Sequence, residues 1–122
     1  VVEKKCVLVI ESYDCLREAI CKALSLHYRV VNAGGPLQAL KIGKRESINA
    51  VFCDTETINM NSKMARKCLF KYRKKFFVFT GSLSREIPDF IDKYRFLPKP
   101  YRIPVLISLL RAGLNEESLT KI

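Results

Sequence analysis

The sequence predicts an α/β domain in which a parallel sheet carries helices on both faces. Three observations predict it. Five short apolar runs alternate with stretches of helical periodicity, the pattern of βαβ units. Three of those runs close on a polar residue, at Asp54, Thr80 and Lys99-Pro100. The chain has 122 residues, 48% of them hydrophobic, which suits one compact domain with a real core spanning residues 1–122.

The first strand is read at residues 6–10 and the first helix at about 13–26. Ser12 and Asp14 precede that helical pattern and are both good N-cap types; Asp14 is assigned to capping. The second strand is read at 28–31. Gly34-Gly35 then leads into Pro36, a natural first helical residue, and a helix at 36–43. Without a full fingerprint, a phosphate-binding reading of this glycine pair is weak. The third strand is read at 48–53 and the third helix at 60–74. A fourth strand at 76–80, a fourth helix at 84–93, a fifth strand at 95–97 and a fifth helix at 103–114 complete the alternation. Right-handed crossovers limit the topology further.

A strand that ends in an aspartate delivers its carboxylate to the carboxyl edge of the sheet, where open α/β folds place their ligands. Asp54, Thr80 and Lys99 would thus bring an oxygen nucleophile, a hydroxyl donor and a cation to one rim. Phosphoryl transfer asks for little more than such positioning and charge neutralisation, normally with a metal ion. Each residue taken singly is more simply a polar strand end. The three together favour a phosphorylation site, with Asp54 attacking, Thr80 donating a hydrogen bond and Lys99 neutralising charge.

The ordered set goes further. Val7-Leu8-Val9-Ile10 is followed by the acidic Glu11, Arg17 lies in the first helix, and Ala39-Leu40 in the second. Met60 comes six residues after Asp54, and the chain continues through Thr80-Gly81 and Phe96-Leu97-Pro98-Lys99-Pro100-Tyr101. From Cys6 to about Leu114 the sequence resembles the receiver domain of two-component response regulators. The resemblance implies a flavodoxin-like, doubly wound, five-stranded sheet of order 2-1-3-4-5 with five helices and a cis Lys99-Pro100 bond. It also implies a phosphoacceptor in signal transduction or a phosphorelay, with Asp54 receiving phosphate from a histidine kinase or phosphotransfer protein and Mg²⁺ assisting. Phe96 takes the place of the aromatic switch residue, with an inward rotamer expected even without phosphate, since its ring needs no hydroxyl partner. Signalling to an output domain or partner protein would use the surface of the fourth helix, fifth strand and fifth helix. Enzymatic action on an external substrate is not expected, since no catalytic His or Cys-His pairing is readable.

Departures from the family pattern bear on the metal. Where two adjacent acids are usual, the sequence has Glu11-Ser12. Glu11 and Asp54 would hold Mg²⁺, Ser12 would be a weak replacement ligand, and the Glu56 carboxylate would partly compensate; weak Mg²⁺ binding is expected. Thr57-Ile58 replaces the usual Met-Pro. Only 19 residues separate Thr80 from Lys99, with Pro88 between them, so the fourth helix is expected to be shortened or displaced. A degenerate receiver serving as a phosphate-independent interaction module is the runner-up.

Charge is unevenly placed. Residues 1–61 carry eight basic and seven acidic side chains, whereas residues 62–122 carry fourteen and five, of a net +10. On a helix, Lys63, Arg66, Lys67, Lys71 and Lys74 share a face opposite Met64, Ala65, Cys68, Leu69 and Tyr72. A solvated face is the favoured account of this stripe, and a nucleic-acid-binding surface through the basic helix is the third functional reading. Phe70, Tyr72, Phe76 and Phe77 are assigned to packing.

Five cysteines in no Cys-x-x-Cys spacing, with His27 the single histidine, argue against zinc or a disulfide framework; buried reduced thiols are expected. His27 is read as structural or solvent-facing. No apolar run reaches the roughly 20 residues that cross a bilayer, and no signal-peptide pattern opens the chain, so a cytoplasmic location is the default. The start on Val1 is compatible with a fragment of a longer protein.

Overall fold

The computed structural model describes residues 4–59, 61–82 and 87–114. Its elements are β1 (Cys6–Ile10), α1 (Asp14–Leu24), β2 (Arg29–Ala33), α2 (Pro36–Ile42), β3 (Ala50–Asp54), α3 (Lys63–Lys71), β4 (Phe76–Gly81), β5 (Lys93–Pro98) and α4 (Ile103–Gly113). All strand pairs are parallel, in the order β2-β1-β3-β4-β5. That is the expected flavodoxin-like sheet.

The three central strands are buried at every position, as strands covered on both faces must be. Period two sorts their side chains into two cores. Leu8, Ile10, Val51, Cys53, Phe77 and Phe79 join α2 and α3 on one face. Val7, Val9, Ala50, Phe52, Phe76 and Val78 meet Ile20, Leu24, Leu106 and Leu110 of α1 and α4 on the other. The edges are more polar, β5 exposing Lys93, Tyr94 and Arg95.

The helix expected at 84–93 is the main correction. Residues 83–86 lie outside the described set; residues 87–92 contain no helix, and Lys93 already belongs to β5. The described fold therefore has four helices. Pro88 cannot donate an amide hydrogen bond, and its carbonyl accepts from Ile91 N at 3.1 Å in a turn. This crossover is fastened by other means. Ile91 is buried, the Phe90 ring meets Phe70 edge-on at 5.4 Å, and Asp92 N donates to Arg73 O at 3.2 Å.

Smaller corrections follow from capping. Tyr13, not Asp14, is the N-cap residue of α1; Asp14 is helical and its carboxylate pairs with Arg17 one turn on, at 2.7 Å. Ser62 caps α3 by accepting from Ala65 N at 3.3 Å, so that helix starts later than read, and it ends at Lys71. Gly35 and Pro36 open α2 as expected.

The cysteines divide. Cys6, Cys53 and Cys68 are buried, Cys15 is exposed, and Cys21 is half-buried, packed against the core on the α1/α4 side. Burial pushes the Cys53 thiol well above its ordinary range and the Cys68 thiol up to about 12. His27 is exposed.

Candidate functional site

The site is built by register. Asp54 ends β3 directly beside Thr80 on β4, and Lys99 follows β5, its amide donating to Gly81 O at 2.9 Å. By period two, Glu11, Asp54 and Thr80 continue the rows of Val9, Phe52 and Val78, so all three belong to the α1/α4 side of the sheet. The Lys99-Pro100 peptide is cis.

Lys99 Nζ donates to Asp54 Oδ1 at 3.0 Å and lies 3.6 Å from Glu11 Oε1. The Asp54 and Glu11 side chains are only 4% and 6% exposed. Burial alone would lower the Lys99 pKa, but the Asp54 hydrogen bond and the charges of Asp54 and Glu11 outweigh it and hold the ammonium above its usual value. One cation thus neutralises two carboxylates in a place poorly reached by water.

The other Asp54 oxygen is occupied from the loop that follows. Oδ2 accepts from Thr57 N at 2.9 Å and from Thr57 Oγ1 at 2.8 Å. Ser12 N donates to Thr57 Oγ1 at 2.9 Å, and the two hydroxyls lie 3.2 Å apart. A chain of hydroxyls therefore links the Ser12 position to Asp54. Sequence reasoning noted Thr57 only as a change in the loop; a hydroxyl three residues after an Asp, the spacing at which such a side chain folds back, was the available signal.

Thr80 Oγ1 is buried and has no hydrogen-bond partner among the described residues, as is true of Thr55 Oγ1 and Tyr101 Oη. A buried hydroxyl beside Asp54 without a partner is costly unless something else takes its hydrogen bond. Tyr101 packs edge-on against Phe52 at 5.7 Å, and burial, with the charges of Glu11 and Asp54, pushes its phenol up to about 12. Arg17 braces the front of the site: Nη1 donates to Glu11 O at 2.8 Å and Nε to Asn32 Oδ1 at 3.1 Å. Phe96 is half-buried and packs against the core on the α2/α3 side.

Mg²⁺ takes one or two carboxylates together with water and phosphate oxygens. Glu11 and Asp54 converge on one cationic atom, so this donor set fits such an ion. Glu11 Oε2 is steadied by Tyr13 N at 3.0 Å. Ser12 is a neutral hydroxyl already engaged by Thr57, and Glu56 is exposed and makes none of these contacts. Among the described residues no group of three His, Cys, Asp or Glu side chains is placed to hold a metal.

Beside the site, between α1 and the start of α4, lies a mostly apolar groove of about 570 Å³ whose lining includes Leu16, Ile20, Lys99, Tyr101 and Ile103. The basic side chains of α3 lie elsewhere. Lys63, Arg66, Lys67 and Lys71 are exposed; Lys74 falls beyond the end of the helix and sits 3.5 Å from Asp92. Met64, expected on the apolar side, is 39% exposed.

Known structures share this architecture. The signal receiver domain of an HD domain-containing protein from Pseudomonas fluorescens Pf-5 superposes with a TM-score of 0.77 at 17% identity, covering 95% of this chain and 98% of that one. A CheY-like response regulator receiver domain from Methanospirillum hungatei JF-1 gives 0.79 at 14% identity, over 97% and 99% of the two chains. The response regulator domain of Thermotoga maritima CheB gives 0.71 at 20%, over 93% and 98%. No protein-family model and no curated protein matches the sequence. The fold is that of a response regulator receiver domain. At these identities the likeness is one of fold, and the chemistry rests on the residues themselves.

Proposed function

We propose that this domain is a phosphoacceptor receiver in which Asp54 takes a phosphoryl group from a phosphohistidine of a histidine kinase or phosphotransfer protein. The observation that carries the reading is the buried Asp54 carboxylate held at 3.0 Å by Lys99 Nζ, beside the partnerless hydroxyl of Thr80. An Asp54 oxygen attacks phosphorus, the bond from phosphorus to the donor nitrogen breaks, and the histidine leaves with the electron pair. Lys99 offsets charge on the transferred group, and the Thr80 hydroxyl donates to one of its oxygens. Glu11 and Asp54 would hold Mg²⁺, which when bound supplies further charge neutralisation to the phosphoryl oxygens. The groove beside Lys99 and Tyr101 offers the donor protein an apolar seat next to Asp54. The chemistry is self-modification, not turnover of an external substrate.

A second reading has its own observation. The Ser12–Thr57–Asp54 hydroxyl chain occupies Asp54 Oδ2, which favours a degenerate receiver that signals by binding alone. Acetyl phosphate labelling followed by borohydride reduction and peptide mapping separates the two. Reduction of Asp54 to homoserine supports the phosphoacceptor; a reduced product at another residue contradicts Asp54 as the acceptor, and none from folded protein supports the interaction module.

A further inference from the structure

The α2/α3 face of the molecule, on the opposite side of the sheet from Asp54, carries a groove of about 470 Å³. Its apolar residues are Leu37 and Leu40 of α2 with Met64 and Phe70 of α3, and its charged residues are Lys41, Lys44, Lys67 and Lys71. The two helices are held together from below, where Tyr72 Oη donates to Ala39 O at 2.5 Å.

Two features of this groove are each unfavourable to an isolated domain. Leu37, Met64 and Phe70 are 51%, 39% and 49% exposed, an apolar patch left in water. Around it converge four ammonium groups, none paired with a carboxylate among the described residues. Lys67 and Lys71 stand one turn apart on the same helix, where like charges repel. A single occupant relieves both costs if it is apolar on one side and acidic on its flanks.

We infer that this groove docks an acidic amphipathic helix of a partner protein. Apolar side chains three and four residues apart would enter between Leu37, Leu40, Met64 and Phe70, and flanking Asp or Glu residues would meet the lysines on both helices. Methionine in the lining suits such a seat because its thioether adapts to the inserted side chain. Nucleic acid would satisfy the lysines but leave three exposed apolar side chains in water. The inference does not depend on whether Asp54 is phosphorylated.

The test uses a fluorescein-labelled, end-capped synthetic peptide of about 16 residues, with leucines on one helical face, glutamates on the flanks and alanines elsewhere. Binding is followed by anisotropy and mapped by amide chemical shifts. The expected result is binding that shifts Leu37, Leu40, Lys67 and Phe70 amides and weakens at least about tenfold in Lys41→Glu/Lys67→Glu, whose exposed positions leave the fold intact. Leu37→Ser is expected to weaken binding with the charges untouched. The inference is overturned by an absence of binding, by equal binding of a peptide with the same composition and scattered leucines, or by shifts that map elsewhere. Preferential binding of phosphatidylserine vesicles or a DNA duplex through the same lysines overturns it too.

Discussion

The Thr57 hydroxyl donates to Asp54 Oδ2 at 2.8 Å while its own oxygen accepts from Ser12 N at 2.9 Å, so the Asp54 carboxylate is latched by its own loop. A hydrogen bond to a charged group contributes on the order of 1.5–3 kcal/mol, and phosphorylation at Oδ2 must give it up. Thr57→Val keeps the shape and removes the donor. Acetyl phosphate labelling should then rise by about tenfold, the equivalent of ~1.4 kcal/mol at the barrier. A labelling rate equal to or below wild type would show that the latch does not restrain Asp54.

Ser12→Asp replaces a neutral hydroxyl beside Glu11 with a second carboxylate. Hard divalent ions gain from each added anionic oxygen. The Mg²⁺ concentration that half-shifts the Asp54 and Thr57 amide resonances should fall by about tenfold, a change of ~1.4 kcal/mol. An unchanged Mg²⁺ titration would mean that Ser12 does not limit the site.

Lys99 neutralises Glu11 and Asp54 together, so Lys99→Met leaves two buried carboxylates without their cation. A loss of about 1–3 kcal/mol at neutral pH is expected, less than for a fully buried pair because Lys99 is partly exposed. Adding Asp54→Asn should recover part of it. Urea titration of the three variants gives the coupling, and additive losses would contradict it.

Alkaline pH should destabilise the domain. The Lys99 pKa is raised, as are those of Cys53 and Cys68 by burial, and burial likewise carries Tyr72 and Tyr101 up to about 12. Each folded value lies above its unfolded one, so the stability these groups contribute is complete below the unfolded pKa and is lost as pH rises towards the folded one. The melting temperature should decline from about pH 8.5, where unfolded thiols ionise, and keep falling towards about pH 12. A flat profile across that window would contradict the burial of the thiols and phenols and the pairing of Lys99 with Asp54 and Glu11.

Much of this architecture was legible in the sequence because it rests on period and order. The central strands are buried on both faces, and their ends place Asp54 and Thr80 side by side through register alone. What was illegible depends on contacts between distant segments. Pro88 and the short interval already point to a shortened or displaced fourth helix, but the anchoring of residues 87–92 on Phe70 and Arg73 depends on contacts with α3 that the sequence does not display. Thr57 reaches back to Asp54 only through the loop's shape. Lys41 and Lys44 meet Lys67 and Lys71 only because α2 packs beside α3, so a stripe read on one helix became a groove shared by two.

The proposed role of Asp54 is to accept phosphate. Intact mass after incubation with acetyl phosphate, with and without Mg²⁺, tests it in the wild type and in Asp54→Ala. A single phosphoryl adduct that needs Mg²⁺ and vanishes in Asp54→Ala is the predicted result. Folded protein that gains no adduct at millimolar Mg²⁺, or gains one equally without Asp54, would contradict it.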